Sequence, residues 1–417
     1  MPTVLVDRAG VSPDDKVFWT SIILTSETGA AFFACPILGY VVDLSHRRQL
    51  PFLAGVVVIA ASMAIFTAAR STTLYVIGRV LQGVASAMVD VAGLALLKDR
   101  IGRDGLGEAL GYFGTASMVG LMASPPLGGL LYQEKGYYAV CGLGFAIVAV
   151  DFGLRLAVAE PKGTAEGNPA EEVAPTTPDV QAKPESSVSV GENQATSGYR
   201  NKHGVLTLLK QRRVLVTLWA LFVDGLTIGA FDAIIPTFVA GTFRWGPFAA
   251  GLIFLAMAAP ALLEPLFGRL CDRFGVRIMT VLGYSMYAPS LVCLQFVRDN
   301  TLAHKVLLGV LLALCGLSGD LGQPALYLET QLVLDELEEE TPGIFGQKGA
   351  VAQGFGLQTM ANYAGLAVGP IVGQHLFDSF GWEVTMWTLG AIAGVTALPM
   401  FFLSNEGIMQ EEEARSD

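Results

Sequence analysis

The chain repeats one unit, a mainly apolar run of about 20 residues, which is the length a helix needs to cross a hydrocarbon core. Eleven such runs lie at 17–42, 49–69, 74–97, 106–132, 136–159, 213–241, 247–267, 276–297, 305–333, 348–376 and 382–404. Few folds are open to a chain built this way, because backbone polar groups in lipid must bond within their own segment, and helices do so unaided. Composition agrees: of 417 residues, 52% are hydrophobic and 15% charged, against about 25% charged in a soluble domain. So few charges cannot cover two or three soluble surfaces, which excludes a soluble enzyme, a disordered chain and a disulfide scaffold. The sequence predicts an all-α membrane protein.

Five runs precede residue 160 and six follow it, giving an N-terminal bundle at 1–159 and a C-terminal bundle at 205–405. The segment 160–204 is rich in Pro, Glu, Ala, Ser, Thr and Gly and cannot bury enough apolar surface to fold, so it reads as a disordered linker. Residues 406–417 form an acidic tail. The net charge of -11 comes largely from such stretches and argues against a nucleic-acid partner. Cys35, Cys141, Cys271, Cys293 and Cys315 lie mostly in apolar runs and read as small core residues. The first fifteen residues lack the apolar core of a signal peptide. With loops assigned alternately, seventeen Lys and Arg fall on the linker's side against seven on the other. The positive-inside rule then predicts a cytoplasmic linker and C-terminus.

A short pattern occurs once in each half at the linker-side end of a run. Gly39, Asp43, Arg47 and Arg48 in the first half correspond to Gly268, Asp272, Arg273, Gly275 and Arg277 in the second. Glycine permits close packing, the Asp can cap the following helix, and the Arg pair can anchor to carboxylates or lipid phosphate. Two copies at matching depth mark an internal repeat, an arrangement of many secondary transporters.

These residues resemble the major facilitator superfamily, whose members are two six-helix bundles with a G-x-x-x-D-R-x-G-R-[RK] loop. The first copy differs, with Leu44 for Arg and His46 for Gly. Arg79, Gln82 and Gly83 resemble the fourth-helix R-x-x-Q-G motif. Gly120, Ser124, Pro125, Gly128 and Gly129 resemble the fifth-helix G-x-x-x-G-P-x-x-G-G motif of proton antiporters. Within the superfamily the likeness is to drug:proton antiporters that include the vesicular amine transporters and their fungal relatives. The resemblance implies proton-coupled export of a small organic compound, with protons and membrane lipid as the other partners, a monomer, and no cofactor beyond the proton gradient. It implies a plasma membrane or a vacuolar or vesicular one. The other readings are a metabolite facilitator or symporter, and a truncated, non-transporting membrane protein. The last follows from a one-span N-terminal deficit: a single run precedes Gly39 where the family has two, so the first helix is expected to be absent.

Ionisable groups inside spans are costly and so are functional candidates. Asp232 and Asp320 each stand four residues before a proline, Pro236 and Pro324, whose missing N–H opens the helix locally. We take Asp232 as the leading proton carrier, with Asp320 and Asp224 as cavity acids; Asp224 sits about 80° around the helix from Asp232. Arg79 and Asp90 are about 20° apart and share a face with Gln82. The resemblance assigns Arg79 to proton coupling. It places Glu27 and Thr359 where the amine transporters pair a Lys with an Asp, so a monoamine substrate is not carried over. Glu264, beside Pro265, is expected to bond the Arg residues of the cytoplasmic gate, and Glu329 to snorkel or act in gating. Asp151 and Arg155 can pair at i, i+4. The glycines at 111, 114, 120, 128 and 129 read as helix-packing positions. With no HExxH, P-loop or G-x-S-x-G, no catalytic or metal constellation supports an enzyme.

Overall fold

The structure, a computed structural model, describes Arg8, Ser12 and residues 16–45, 47–103, 105–157, 204–346 and 349–403. The linker and acidic tail read from the sequence lie almost wholly outside the described residues. The spanning helices of the first half are α1 (Lys16–Leu44), α2 (Gln49–Ala68), α3 (Thr72–Ile101), α4 (Leu106–Lys135) and α5 (Tyr137–Ala157). A short helix, α6 (Gly204–Leu209), buries Leu208 and leads into the second half; its first residue is the last one assigned to the linker.

The second half comprises α7 (Arg212–Phe243), α8 (247–274), α9 (276–296), α10 (Leu302–Glu340), α11 (351–380) and α12 (382–402). Helix α11 meets α12 without a loop. Gly381, at φ 80°, supplies the left-handed backbone that turns one into the other. Among the described residues, nine stretches are long and apolar enough to cross a membrane; Val351–Phe402 counts there as one and holds two helices. With Leu106–Lys135, eleven spanning helices follow the eleven apolar runs.

Helix α8 is interrupted where the sequence places proline, and α7 and α10 each lose a hydrogen bond there while staying continuous. In α8 a 3-10 stretch, Ala259–Leu263, contains Pro260 and separates the helical segments Pro247–Ala258 and Glu264–Phe274. Such a stretch inside a helix loosens the hydrogen-bond ladder and marks a bend. In α7 and α10, Pro236 and Pro324 leave the carbonyls of Asp232 and Asp320 without their usual donor four residues on.

Helix contacts rest on glycine at closest approach. Helices α7 and α11 share a seam in which Gly225 meets Asn362, Gly365 meets the Phe222 carbonyl, and Gly369 meets that of Leu226. Without side chains at these places the two backbones approach closely, and dispersion replaces the hydrophobic drive that lipid does not supply. The halves join at two further seams, α1 against α11 and α4 against α8. Outward faces stay apolar and exposed, as with Tyr138, Ile147, Val150 and Leu154 of α5, and are suited to lipid.

Candidate transport site and linker-side clamp

The two sequence repeats build one device twice. Asp43, at the end of α1, accepts hydrogen bonds from the backbone N–H of Ala352 (3.0 Å) and Gln353 (3.0 Å), and from the Gln353 side chain (3.1 Å). Asp272, at the end of α8, accepts from the N–H of Gly107 (2.9 Å) and Glu108 (3.0 Å). Each carboxylate thus caps the N-terminus of a helix in the opposite half. The expectation that each Asp would cap the next helix in the chain is corrected. Helix α2 has Arg48 at its N-cap with no side-chain capping bond, whereas the free N–H groups and positive ends of α11 and α4 face the carboxylates across the seam.

Motif glycines allow this approach. A Cβ on Gly39 would meet the Ala352 carbonyl, and one on Gly268 would meet that of Gly107. Arg48 lies 3.5 Å from Asp43 and 3.1 Å from Asp99, so it anchors to carboxylates as expected. Arg47 is exposed. In the second copy, Arg273 sits over the Phe274 ring (5.6 Å), Arg277 donates to the Leu403 carbonyl (2.9 Å), and Gly275 adopts φ 87° to end the helix.

Further ion pairs close the same end. Lys98 of α3 meets Asp335 of α10 at 2.6 Å, Arg103 meets Glu339 at 3.8 Å, and Arg269 of α8 meets Glu108 of α4 at 2.7 Å. Lys98 and Asp335 escaped the sequence reading because nothing in spacing shows which helix ends will face each other. Arg213 was missed likewise. It binds Glu329 (2.5 Å) and Glu336 (2.6 Å), so Glu329 is a fully buried, paired acid and does not snorkel.

Deeper between the halves, the ionisable groups fall into three sets. Arg79 forms an ion pair with Glu27 of α1 and a 3.3 Å bond with Gln82. Asp90, eleven residues along the same helix, accepts a 2.9 Å bond from the Tyr363 hydroxyl of α11. Arg79 and Asp90 therefore share a face without sharing a partner, and Asp90 bridges the halves. Thr359 is buried.

The third set is carboxylic. Asp224 of α7, Glu264 of α8 and Asp320 of α10 are all buried, and Glu264 feels the charges of both others. A Cβ on Gly319, beside Asp320, would lie 3.5 Å from Asp224 Oδ1. Among the described residues no ion pair includes any of the three, and Glu264 Oε1 and Asp320 Oδ2 accept no hydrogen bond. Glu264 therefore does not bond the gate's arginines. Its carboxyl lies against α4 where Gly114 leaves room for it, and Gly111 leaves room for its backbone. The spacing 107, 111, 114 puts three glycines on one helical face, a signal the sequence carried. Asp232 does not join the cluster. It is exposed, about 12 Å further along α7 than Asp224 at 1.5 Å per residue.

The stretch at 120–129 is less packed than expected. A Cβ on Gly120, Gly128 or Gly129 would meet nothing within 4 Å, and the Ser124 hydroxyl bonds its own helix at the Leu121 carbonyl (3.1 Å). Helix α4 is held to α8 at its linker end, through Thr115 bonded to the Ala261 carbonyl (2.6 Å). The Pro125 side chain lies outside the described residues. Asp151 and Arg155 pair at 3.7 Å, as their spacing predicts, and Arg155 also covers the Phe52 ring.

Comparison with known proteins matches this architecture. Residues 1–335 and 217–416 each match the Major Facilitator Superfamily. The chain is 30% identical to the MFS-type transporter ppzB of Metarhizium rileyi, over 96% of this chain and 89% of that protein. It is 29% identical to the uncharacterized MFS-type transporter C18.02 of Schizosaccharomyces pombe, over 94% and 88% of the two chains. It is 22% identical to the human chromaffin granule amine transporter, over 96% and 68%. Among solved structures, the human organic anion transporter MFSD10 (TETRAN) superposes with a TM-score of 0.66 at 18% identity, covering 94% of this chain and 85% of that one. Eleven apolar helices, a repeated cross-capping loop and these matches lead to one conclusion: the chain is an integral, multi-pass membrane protein that belongs to the major facilitator superfamily of transporters.

Proposed function

We propose that the protein is a proton-coupled antiporter that exports a small organic compound, and that Asp224, Glu264 and Asp320 form its proton-binding site. The carrying observation is the burial of these three carboxyls together, with no ion-pair partner among the described residues. Isolated buried carboxylates are costly, by several kcal/mol each, so such a group needs a proton or a bound cation. The likeness to amine transporters and the motif at 120–129 support antiport. Asp232, exposed above the cluster, serves as an entry acid, and Arg79 with Glu27 holds α1 to α3 beside the path. No cofactor takes part; the proton gradient drives the cycle. The linker side corresponds to the cytoplasm.

Uptake of a panel of organic cations and neutral lipophilic compounds into proteoliposomes tests this. An acid interior should drive accumulation, and Asp320→Asn should abolish it. Accumulation driven by an acid exterior would make the protein a symporter. Accumulation indifferent to either gradient would make it a facilitator.

A further inference from the structure

Glu264 differs from the other two acids because it touches the opposite half. It opens the helical segment that follows the 3-10 stretch of α8, and its carboxyl lies where a side chain on Gly114 of α4 would stand. It is 1% exposed, and its Oε1 accepts no hydrogen bond. From α10 it faces Asp320 and from α7 Asp224, both acids. From α4 it faces the backbone at Gly111 and Gly114. The ionisable groups of α4 nearest in sequence are Glu108, bound to Arg269, and Tyr112, which is exposed. From α9 the buried Tyr284 and Tyr287 face Asp224, and Tyr284 donates to the Ala220 carbonyl. Among the described residues, the charges that act on Glu264 are those of the two acids, and it takes part in no ion pair. Eight residues on, about 12 Å along the same helix, Asp272 caps α4.

We propose that Glu264 is the positioning residue that ties the charge of the cluster to closure of the linker side. Helices α4 and α8 pack over this side chain only when its charge is neutralised, by a proton or by a bound cation. Ionised and alone, Glu264 needs water, and water reaches it only if the α4–α8 seam parts, which pulls Asp272 from its cap. The empty, deprotonated carrier is thereby held open on the linker side and does not cycle without cargo. An antiporter needs that restriction. The inference rests on the antiport reading and adds to it the element through which coupling acts.

Backbone hydrogen exchange of the full chain in nanodiscs tests the seam directly, at acid and alkaline pH, corrected for intrinsic exchange. Wild type should lose amide protection over residues 106–115 as pH rises. Glu264→Gln should keep that protection at both pH values, and Glu264→Asp should restore the pH response. Gly114→Ala, which forces the carboxyl off the seam, should lower protection even in acid and gives a second reading if the Gln variant does not fold. A wild type whose protection ignores pH, or a Gln variant that responds as wild type does, would overturn the proposal. Proton exchange in the transport assay is scored separately. Its loss with a normal seam response sinks antiport alone, and a normal proton flux without the seam response sinks Glu264 alone.

Discussion

The Arg79 and Glu27 side chains, 17% and 24% exposed, show how a single pair constrains this protein. Each charge makes the other tolerable in a partly desolvated place, so removing one partner costs more than removing both. Arg79→Met should lower stability by about 1–3 kcal/mol, the cost of an unsatisfied buried group, and Arg79→Met with Glu27→Met should recover most of it. Thermal unfolding in detergent, followed by a thiol-reactive dye, reads the difference. A double variant no more stable than the single one would show that the pair does not hold α1 to α3. The sequence named both residues as costly and functional but not as partners. Pairing depends on which faces of α1 and α3 meet, and period alone does not give that.

At the scale of the element, the same limit explains the two motif aspartates. Their positions at helix ends and their capping chemistry were legible, since Gly, Asp and Arg at a turn have few other uses. Which helix they cap was not, because the free N–H groups of α4 and α11 come from the opposite half. Asp43→Ala and Asp272→Ala should each cost about 1 kcal/mol. The two caps share no partner, so the effects should add within about 0.5 kcal/mol. Exchange of the Ala352 and Gln353 amides should quicken in the first variant, and of Gly107 and Glu108 in the second. Unchanged exchange at the named amides would contradict the caps.

Glycines divide in the same way. Gly365 has the α7 backbone where a side chain would go, while Gly120 has open space. Gly365→Val should destabilise by about 3 kcal/mol, the upper end of overpacking because backbone cannot move aside. Gly120→Ala should leave the melting temperature unchanged. Equal effects would mean that the α7–α11 seam is wrongly placed. In sequence Gly120 reads as a packing position and finds no partner, since composition shows that a backbone can come close and does not show where a partner helix ends.

For the whole molecule, the eleven helices are readable because lipid imposes a length on every span. The carboxyl cluster was half readable. Asp224, Asp232 and Asp320 are legible as acids inside spans, but the sequence puts Asp232 first among them and Glu264 at the gate. The fold regroups them: three acids from α7, α8 and α10 converge while Asp232 stands apart. Clamping of the linker side by Asp43, Asp272, Lys98 and Arg103 then fixes which end of the cluster is closed.

The central claim is that this cluster exchanges a proton for cargo. It is tested most directly by trapping pyranine in acid-loaded proteoliposomes and adding each compound that the protein transports. Interior pH should rise as the compound enters with wild type, and should stay constant with Asp320→Asn and in empty vesicles. Compound entry with no change in interior pH would contradict the account.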